Sequence, residues 1–320
     1  MTRSRPIRDA LIHMVRLALP KPRAPVVDMT GRRVVVTGAS TGSIGYSVAK
    51  VLAEWGADVV VTCRHRSESL EANLRRDVAR FASGRRVRAH TLDLADAESV
   101  GRFADWYRNN HDGLDVLVNN AGILLDVFSR WTEPRRSNDG FEIHWRTNFL
   151  GTVQLTTAFL PLLMASGRES GDARVINVVS HQHIRGRNAW FLAAPLHYDS
   201  WTAYGQSKLG LVHHSFELNR RYAREYNVRS AAVHPGTAYT NMIRDGVHGL
   251  PGPSWLHRPI AKMASWALMT PEQCAETIIR CASDPELQGG RYHERCAVAE
   301  HSNEADDLEA ASRLWDRTVR

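Results

Sequence analysis

Cysteine is scarce in this chain and is not arranged for cross-linking or for metal binding. The 320 residues include four cysteines, and none of them forms a C-x-x-C pair. They are Cys63, Cys274, Cys281 and Cys296. This spacing predicts reduced thiols in a cytoplasmic protein. His181 and His183 alternate along the chain, but two histidines without a third ligand do not predict a metal site.

Long apolar runs are also lacking. No run approaches the ~20 residues that cross a membrane as a helix. Residues 8–19 carry charges within an apolar stretch, and no small-residue cleavage site follows them. We therefore expect neither a transmembrane helix nor a secretory signal. Hydrophobic residues make up 43% of the chain and charged residues 23%, which is the balance of a soluble globular protein.

Positive charge exceeds negative charge mainly at the N-terminus. The formal net charge is +7, and residues 3–23 contain six basic residues and one acid. Nucleic acid is not an expected partner, because the remainder is close to balanced and carries no nucleic-acid motif. Residues 1–28 form an arm with an apolar helical face at Ile7, Leu11, Val15 and Leu19. Packing on its own domain, packing in a homo-oligomer and peripheral membrane contact all remain open for this arm.

Glycine is placed where a phosphate-binding loop needs it. A buried strand over 34–37 precedes Gly38-Ala-Ser-Thr-Gly42-Ser-Ile-Gly45, and a helix over 46–55 and a strand over 58–63 follow. In a β-α-β unit of this kind, backbone N–H groups and a helix N-terminus point at a phosphate group. The candidate cofactor-binding residues of this loop are Gly38, Ser40, Thr41, Gly42, Ser43, Ile44 and Gly45.

The end of the second strand indicates which dinucleotide is bound. It has the sequence Cys63-Arg64-His65-Arg66, and no acid occurs before Glu68. An NAD-dependent enzyme of this fold usually has a carboxylate there, which binds the ribose hydroxyls. Guanidinium groups instead suit a 2′-phosphate. We therefore expect NADP(H) as the cofactor with Arg64 as a ligand; solvated surface charge is the alternative.

Strands and helices alternate along the rest of the chain. The pattern predicts helices over 67–82, 98–109, 139–163 and 203–226, and strands over 86–92, 116–119, 174–179 and 229–233. This alternation predicts an α/β fold, a doubly wound parallel sheet (Rossmann fold), in a single domain over 29–320. Ligands of such sheets bind beyond the carboxyl ends of the strands, and the motifs named so far all fall at such ends.

Tyr204 and Lys208 stand four residues apart in the predicted helix over 203–226. Positions i and i+4 share one face of a helix, so the phenol and the ammonium point into the same space. An ammonium beside a phenol favours the phenolate, so we expect Lys208 to lower the pKa of Tyr204 and make it a usable proton donor and acceptor. Such a pair also occurs in helices with a purely structural role, so its meaning depends on the other motifs.

Together, the motifs resemble the short-chain dehydrogenase/reductase family. They are Thr37-Gly38, Asn119-Asn-Ala-Gly122, Asn148, Ser180, Tyr204-x-x-x-Lys208 and Pro235-Gly236. The phrases Asp139-Gly-Phe-Glu142 and Val233-His-Pro-Gly236 are similar to the retinol-dehydrogenase and WW-domain-oxidoreductase-like branch. The resemblance covers residues 31–320 and is specific for family and fold, but not for a substrate.

The resemblance implies roles for single residues. Tyr204 is implied as the general acid of a reduction or the base of an oxidation, and Lys208 as the group that lowers the tyrosine pKa and holds the nicotinamide ribose. Ser180 is implied to hydrogen-bond the substrate oxygen, and Asn148 to anchor a water in a proton relay. The implied cofactor contacts outside the glycine loop are Asp93, Leu94, Asn120, Ala121, Gly122, Tyr204, Lys208, Pro235, Gly236 and Thr240.

The glycine loop departs from the family pattern T-G-x-x-x-G-x-G. Ser43 and Ile44 separate Gly42 from Gly45, so this loop is one residue longer. The extra residue changes which backbone N–H groups meet the pyrophosphate, and weaker cofactor binding is one expected consequence.

The substrate wall is predicted from two apolar and aromatic segments. One is residues 181–201, with Trp190, Phe191, Leu192, Leu196, Tyr198 and Trp201. The other is residues 238–269, which we expect to form a lid over a lipophilic pocket. The alternative is that these residues only pack the lid onto the domain.

The expected function is that of a cytoplasmic, NADP(H)-dependent alcohol dehydrogenase or carbonyl reductase that acts on a lipophilic alcohol, aldehyde or ketone. A non-catalytic NADP(H)-binding sensor or scaffold is the alternative, because a fold does not fix a function. The complete set of Asn148, Ser180, Tyr204 and Lys208 favours the enzyme, and only the longer glycine loop favours the sensor.

Overall fold

The computed structural model describes residues 22–79, 87–127, 130–192, 196–236 and 269–319. The helix expected in the N-terminal arm, Thr240 and all of the expected lid except Met269 lie outside these ranges. Within the arm, residues 22–28 are described. Ala24 there donates its backbone N–H to Oε2 of Glu276 at 2.7 Å, so the end of the arm lies against the folded domain.

The described strands form a single sheet. They are β1 (Arg33–Val36), β2 (Asp58–Cys63), β3 (Val87–Thr91), β4 (Val116–Asn119), β5 (Ala173–Val178), β6 (Val228–His234), β7 (Tyr292–Glu294) and β8 (Ala297–Val298). Their order is β3-β2-β1-β4-β5-β6-β7-β8. All neighbouring pairs are parallel except β7 with β8. The expected doubly wound parallel sheet is confirmed.

Helices cover both faces of this sheet. They are α1 (Ile44–Glu54), α2 (Ser67–Val78), α3 (Ala97–Asn110), α4 (Gly151–Ser170), α5 (Ser200–Tyr226), α6 (Pro271–Ser283) and α7 (Leu308–Thr318). Val34 and Val36 pack with α1, α2 and α6 on one face, whereas Val35 packs with α3 and α4 on the other. The alternation along β1 follows the two-residue period of a strand, so its three valines are buried on both faces of the sheet.

The helix predicted over 139–163 differs from the structure. A π-helical turn, Trp145–Leu150, precedes α4, and α4 continues to Ser170. The turn contains Asn148, whose side chain bonds to residues outside the helix, as described below. The apolar period of the sequence gave no sign of this turn, because the residues around it are as buried as those of a regular helix.

The helical stretch Trp145–Ser170 is long and apolar enough to cross a membrane by length and composition, with 26 residues and a mean hydropathy of 1.4. However, 56% of the apolar window is buried inside the fold. Phe159 and Leu163 of α4, for example, pack with Phe103 of α3 in the core. Such burial is what the central helix of a globular fold shows, so the stretch is weak evidence for a membrane span.

Candidate active site

The strand order reverses between β1 and β4, and the segments that follow these two strands are bonded to each other. Oγ1 of Thr37 accepts the backbone N–H groups of Asn120 and Ala121, both at 3.0 Å. In return, Nδ2 of Asn120 donates to the carbonyls of Thr37 at 2.8 Å and Gly38 at 3.1 Å. The amide of Asn120 thus fastens the glycine loop to β4, and a cofactor contact from this residue stays a prediction.

Three loop glycines occupy positions that other residues would not fit. A Cβ atom at Gly38 would lie 2.7 Å from Cα of Ala121, and one at Gly45 would lie 2.5 Å from Nδ2 of Asn120. Gly42 has open space around it but adopts a φ of +78°, which L-residues rarely adopt. The loop therefore presents bare backbone at the crevice where ligands of this fold bind.

The extra residue of the glycine loop serves as a helix cap. Ser43 precedes α1, and its Oγ accepts the N–H of Tyr46 at 3.2 Å and donates to the carbonyl of Gly38 at 3.3 Å. The first N–H groups of α1, at Ile44 and Gly45, have no acceptor within the helix. These two groups are the donors available to a phosphate at the helix N-terminus. The longer loop thus leaves the N-terminus of α1 ordered and accessible.

Arg64 and Arg66 follow β2 and are exposed. Neither forms a salt bridge with another residue in the part of the chain that the structure describes. The nearby acid Glu71 of α2 instead pairs with Arg75 at 2.8 Å. Two guanidinium groups are therefore available to an anion at the carboxyl end of β2.

The other residues expected at the cofactor have mixed environments. Oδ1 of Asp93 accepts the N–H two residues further on, at 2.9 Å, and so shapes the turn after β3. Leu94 is buried in the core, so only its backbone faces the end of the sheet. Gly236 follows β6 with a φ of +92°.

Asn148 joins the segment after β4 to the helix of Tyr204. Its Oδ1 accepts the N–H of Ile123 at 2.7 Å, and its Nδ2 donates to the carbonyl of Ile123 at 2.9 Å. Nδ2 also donates to Oγ of Ser207 on α5, at 3.1 Å. The side chain is fully buried and its polar atoms are bonded. A π-helical turn that places such a residue is common at functional sites.

Two of the four predicted catalytic residues, Asn148 and Lys208, lie at Gly122, and Tyr204 and Ser180 are linked to Lys208. A Cβ atom at Gly122 would lie 3.3 Å from both Oδ1 of Asn148 and Nζ of Lys208. Nζ of Lys208 donates to the carbonyl of Val178, the last residue of β5, at 2.9 Å. Ser180 follows two residues later, and its side chain hydrogen-bonds Tyr204. Their catalytic roles stay a prediction, but the structure brings these side chains together.

The expected effect of Lys208 on Tyr204 is wrong in this structure. The pKa of Tyr204 is raised above 10.0 because burial disfavours the phenolate; the hydrogen bond with Ser180 acts in the other direction and is weaker. Nζ of Lys208 lies 5.7 Å from the centroid of the Tyr204 ring. Burial also lowers the pKa of Lys208, from 10.5 to about 8. Desolvation therefore outweighs the attraction between the two groups.

Ser180 is held by a contact with the C-terminal part of the chain. Its carbonyl accepts the Nδ1–H of His183 at 2.8 Å. Nε2 of the same ring accepts the backbone N–H of Ser302 at 3.0 Å, which fixes the tautomer. His183 is fully buried, and burial lowers its pKa to about 4. A neutral imidazole thus ties the turn after β5 to a segment 119 residues away.

Sequence reasoning missed His144, which lies close to Tyr204. The two rings are 6.5 Å apart and perpendicular. Nε2 of His144 accepts the backbone N–H of Leu125 at 3.0 Å, so Nδ1 carries the proton and donates to Oε1 of Glu142 at 2.7 Å. Asn148 and His144 therefore hold alternate residues of the segment after β4. The signal available in the sequence was the pair Glu142-x-His144, four residues before Asn148.

The predicted substrate wall divides into two parts. Trp201 lies beside Tyr204, with ring centroids 6.5 Å apart, and its Nε1–H donates to the carbonyl of Val127 at 2.9 Å. The other five side chains named for residues 181–201 line a different cavity, which lacks Tyr204 and Ser180. They are Trp190, Phe191, Leu192, Leu196 and Tyr198. The prediction that they form the wall at Tyr204 is therefore wrong.

Comparison with known proteins agrees with this geometry. A family model described as short chain dehydrogenase matches residues 32–249. The chain is 36% identical to polyprenol dehydrogenase of Mus musculus, over 98% of this chain and 91% of that protein. It is 33% identical to retinol dehydrogenase 11 of Homo sapiens, over 91% and 85%.

Solved structures give the same result. An uncharacterized protein from Mycobacterium paratuberculosis superposes with a TM-score of 0.67 at 30% identity, covering 92% of this chain and 94% of that one. A Pseudomonas aeruginosa RhlG/NADP active-site complex superposes with a TM-score of 0.62 at 25% identity, covering 84% and 96%. By sequence and by fold, the chain belongs to the short-chain dehydrogenase/reductase family of oxidoreductases, in its retinol-dehydrogenase-like branch.

Proposed function

We propose that this protein is an NADP(H)-dependent dehydrogenase or reductase in which Tyr204 exchanges a proton with the oxygen of a lipophilic alcohol or carbonyl substrate. The observation that carries the proposal is one linked group of side chains. Asn148 and Lys208 meet at Gly122, Lys208 lies 5.7 Å from the Tyr204 ring, and Ser180 lies beside Tyr204. A nicotinamide cofactor, when bound, supplies the hydride. The chain itself must position the reacting oxygen and supply the proton.

The carboxyl ends of β1, β2 and β4 fit such a cofactor. Gly38 and Gly45 leave no room for a side chain between the loop and β4, and the N-terminus of α1 offers N–H groups to a pyrophosphate. Arg64 and Arg66 would hold a 2′-phosphate. The name of the Pseudomonas relative includes NADP, which supports NADP(H) over NAD(H).

Tyr204 is suited to donate a proton. Its raised pKa keeps the phenol protonated near neutral pH, and the Ser180 hydroxyl adjoins it as a second partner for the substrate oxygen. Lys208 retains its charge below about pH 8, so it stabilises the phenolate that forms as the proton leaves. Because the amide of Asn148 is fully bonded, a water in the expected relay would be held by a backbone group.

The lipophilic substrate is proposed from two observations. Trp201 presents an aromatic ring beside Tyr204, and the names of two relatives refer to retinol and polyprenol, which are both long apolar alcohols. We also propose that the protein is cytoplasmic, with the basic arm of residues 1–28 as its contact with a membrane surface and residues 238–269 as a lid over the substrate.

The test is NADPH oxidation with a panel of lipophilic aldehydes and ketones, with Tyr204→Phe in parallel. Loss of the proton donor should lower kcat at least about a hundredfold. Tyr222→Phe, on the same helix but away from Gly122, is the matched control and should retain wild-type turnover. Equal turnover by Tyr204→Phe, or faster turnover of small polar aldehydes than of apolar ones, would contradict the proposal.

The cofactor preference has its own measurement. Arg64→Ala should raise the Kd of NADPH about tenfold or more, because a charge-assisted contact with the 2′-phosphate is lost. The Kd of NADH should stay unchanged, since NADH lacks that phosphate. A wild-type protein that binds NADH more tightly than NADPH would refute the NADP(H) assignment.

A further inference from the structure

A cavity of about 740 Å³ opens beside the N-terminal half of α5. Its walls come from residues 131–145, from residues 190–192 and 196–199, and from the first two turns of α5. The apolar and aromatic side chains that line it are Trp131, Pro134, Trp145, Trp190, Phe191, Leu192, Leu196 and Tyr198. None of the four predicted catalytic residues contributes to these walls. They are Asn148, Ser180, Tyr204 and Lys208.

The cavity lies on the other side of α5 from Tyr204. The helix presents Thr202, Ala203 and Gln206 to it. At ~100° per residue, Thr202 and Gln206 are each turned by about 160° from Tyr204. Gly210 lies on the same face of α5 as Gln206, because a Cβ atom there would lie 3.1 Å from the Trp145 ring, which lines the cavity. The helix itself therefore separates this cavity from the catalytic cleft.

Two polar side chains within the walls, Gln206 and Glu142, are already bonded inside the protein. Gln206 accepts the N–H of Arg187 at 2.9 Å and donates to its carbonyl at 3.1 Å. Oε1 of Glu142 accepts from Tyr198 at 3.0 Å, and Oε2 accepts the N–H of Trp145 at 2.7 Å. A ligand would therefore be held by apolar and ring contacts rather than by buried hydrogen bonds. Indole rings suit stacking on flat ring systems.

We propose that this cavity is a second ligand site, for a small apolar molecule with a planar ring system, separate from the site of hydride transfer. Its volume is that of a typical small-molecule pocket, ~300–1,000 Å³. Leu196 at its edge is 98% exposed and Leu192 is 58% exposed, so apolar side chains meet solvent there.

The site is connected to the cleft by hydrogen bonds. Tyr198, in the cavity wall, donates to Glu142, which also accepts from His144. His144 in turn accepts the N–H of Leu125, in the segment that begins at Gly122. A ligand that displaces the Tyr198 hydroxyl would therefore alter a wall of the catalytic cleft without entering it. This coupling predicts that the ligand changes kcat without competing with substrate.

Binding of anilinonaphthalene sulfonate, a planar apolar fluorophore with one negative charge, tests the proposal on the full chain. Saturating NADP⁺ fills the nucleotide cleft during the titration. Ala203→Phe places a ring in the cavity and should raise the probe's Kd at least about tenfold, because apolar contact area is lost. Ala223→Phe, the same change on the same helix and far from the cavity, should leave the Kd within about twofold.

Trp190→Ala is the second variant. It removes part of the cavity wall instead of filling the cavity, and it should also weaken binding of the probe. Thermal melting of each variant establishes that it is folded. The proposal is overturned if the wild-type chain does not bind the probe, if substrate or nucleotide displaces it competitively, or if folded Ala203→Phe and Trp190→Ala bind it as the wild type does. These measurements need no turnover, so their outcome does not depend on the proposed enzymatic activity.

Discussion

Lys208→Met should stabilise the protein while it removes a predicted catalytic residue. Burial lowers the pKa of Lys208 from 10.5 to about 8. Below about pH 8, Lys208 is charged in both states, and burial of this charge lowers the free energy of unfolding by about 3 kcal/mol. Methionine has a similar shape and carries no charge, but it loses the hydrogen bond to Val178, worth about 1 kcal/mol. The expected net gain in unfolding free energy is about 2 kcal/mol near pH 7.

The gain should depend on pH with a defined sign. Between about pH 8 and 10.5 the unfolded chain binds a proton at this lysine that the folded chain does not, so wild-type stability from this group rises with pH. The difference between Lys208→Met and the wild type should therefore shrink to about zero near pH 10. Other groups that titrate there are common to both proteins and cancel in the difference.

Urea unfolding of both proteins at the two pH values measures this difference. Lys50→Met is the matched control, because the side chain of Lys50 on α1 is 41% exposed and its pairing with Glu54 is long, at 3.8 Å. It should change the unfolding free energy by less than about 0.5 kcal/mol at either pH. Destabilisation by Lys208→Met near neutral pH, or a gain that does not vary with pH, would refute the reasoning.

Two further predictions concern the loop and the buried histidines. Gly45→Ala places a Cβ atom 2.5 Å from Nδ2 of Asn120. It should raise the Kd of NADPH about tenfold or more, because the hydrogen bonds between the loop and the segment after β4 must shift. Gly101→Ala, with no atom within 4 Å of the added Cβ, is the control in the same titration, and equal effects of the two variants would contradict the prediction. His183 and His214 both have pKa values lowered to about 4 by burial, so the unfolded chain binds more protons between about pH 4 and 6.5 and stability should fall as the pH falls through that window. His214→Phe keeps a ring against Trp315 and should reduce the slope of unfolding free energy with pH by about one proton; an unchanged slope would show that this ring is not buried neutral.

The fold was predictable because its determinants are local. Valine-rich strands such as 34–37 and 58–63 can be buried on both faces only in a parallel sheet, and the intervening glycines mark the turn. Apart from the helix predicted over 139–163, the boundaries of the predicted elements agree to within a few residues: β2 and β4 match the predicted ranges in full, and α5 begins at Ser200 rather than at 203. The C-terminal elements α6, β7, β8 and α7 were not predicted. The strands β7 and β8 have only three and two residues, so they carry no period to detect.

The energetics of the candidate site could not be predicted from the sequence. Tyr204 and Lys208 come from their spacing and Asn148 and Ser180 from the family resemblance; the structure brings these side chains close together, and their roles stay predictions. The direction of the Tyr204 pKa did not follow, because spacing places the ammonium on the same face but does not tell how much water either group loses. Likewise, the composition of residues 181–201 indicates an apolar wall, but not on which side of α5 that wall lies.

The contact between His183 and Ser302 makes the position of Ser180, a predicted catalytic residue, depend on the far end of the chain. The five-residue turn His181–Arg185 follows Ser180, and its His183 accepts the backbone N–H of Ser302 near the C-terminus. Exchange of C-terminal segments between relatives would therefore alter the geometry around Ser180 even where Asn148, Tyr204 and Lys208 are kept. In this protein, the C-terminal segment supports the candidate active site, and variation in that segment is a route by which selectivity can diverge without any change in the motifs.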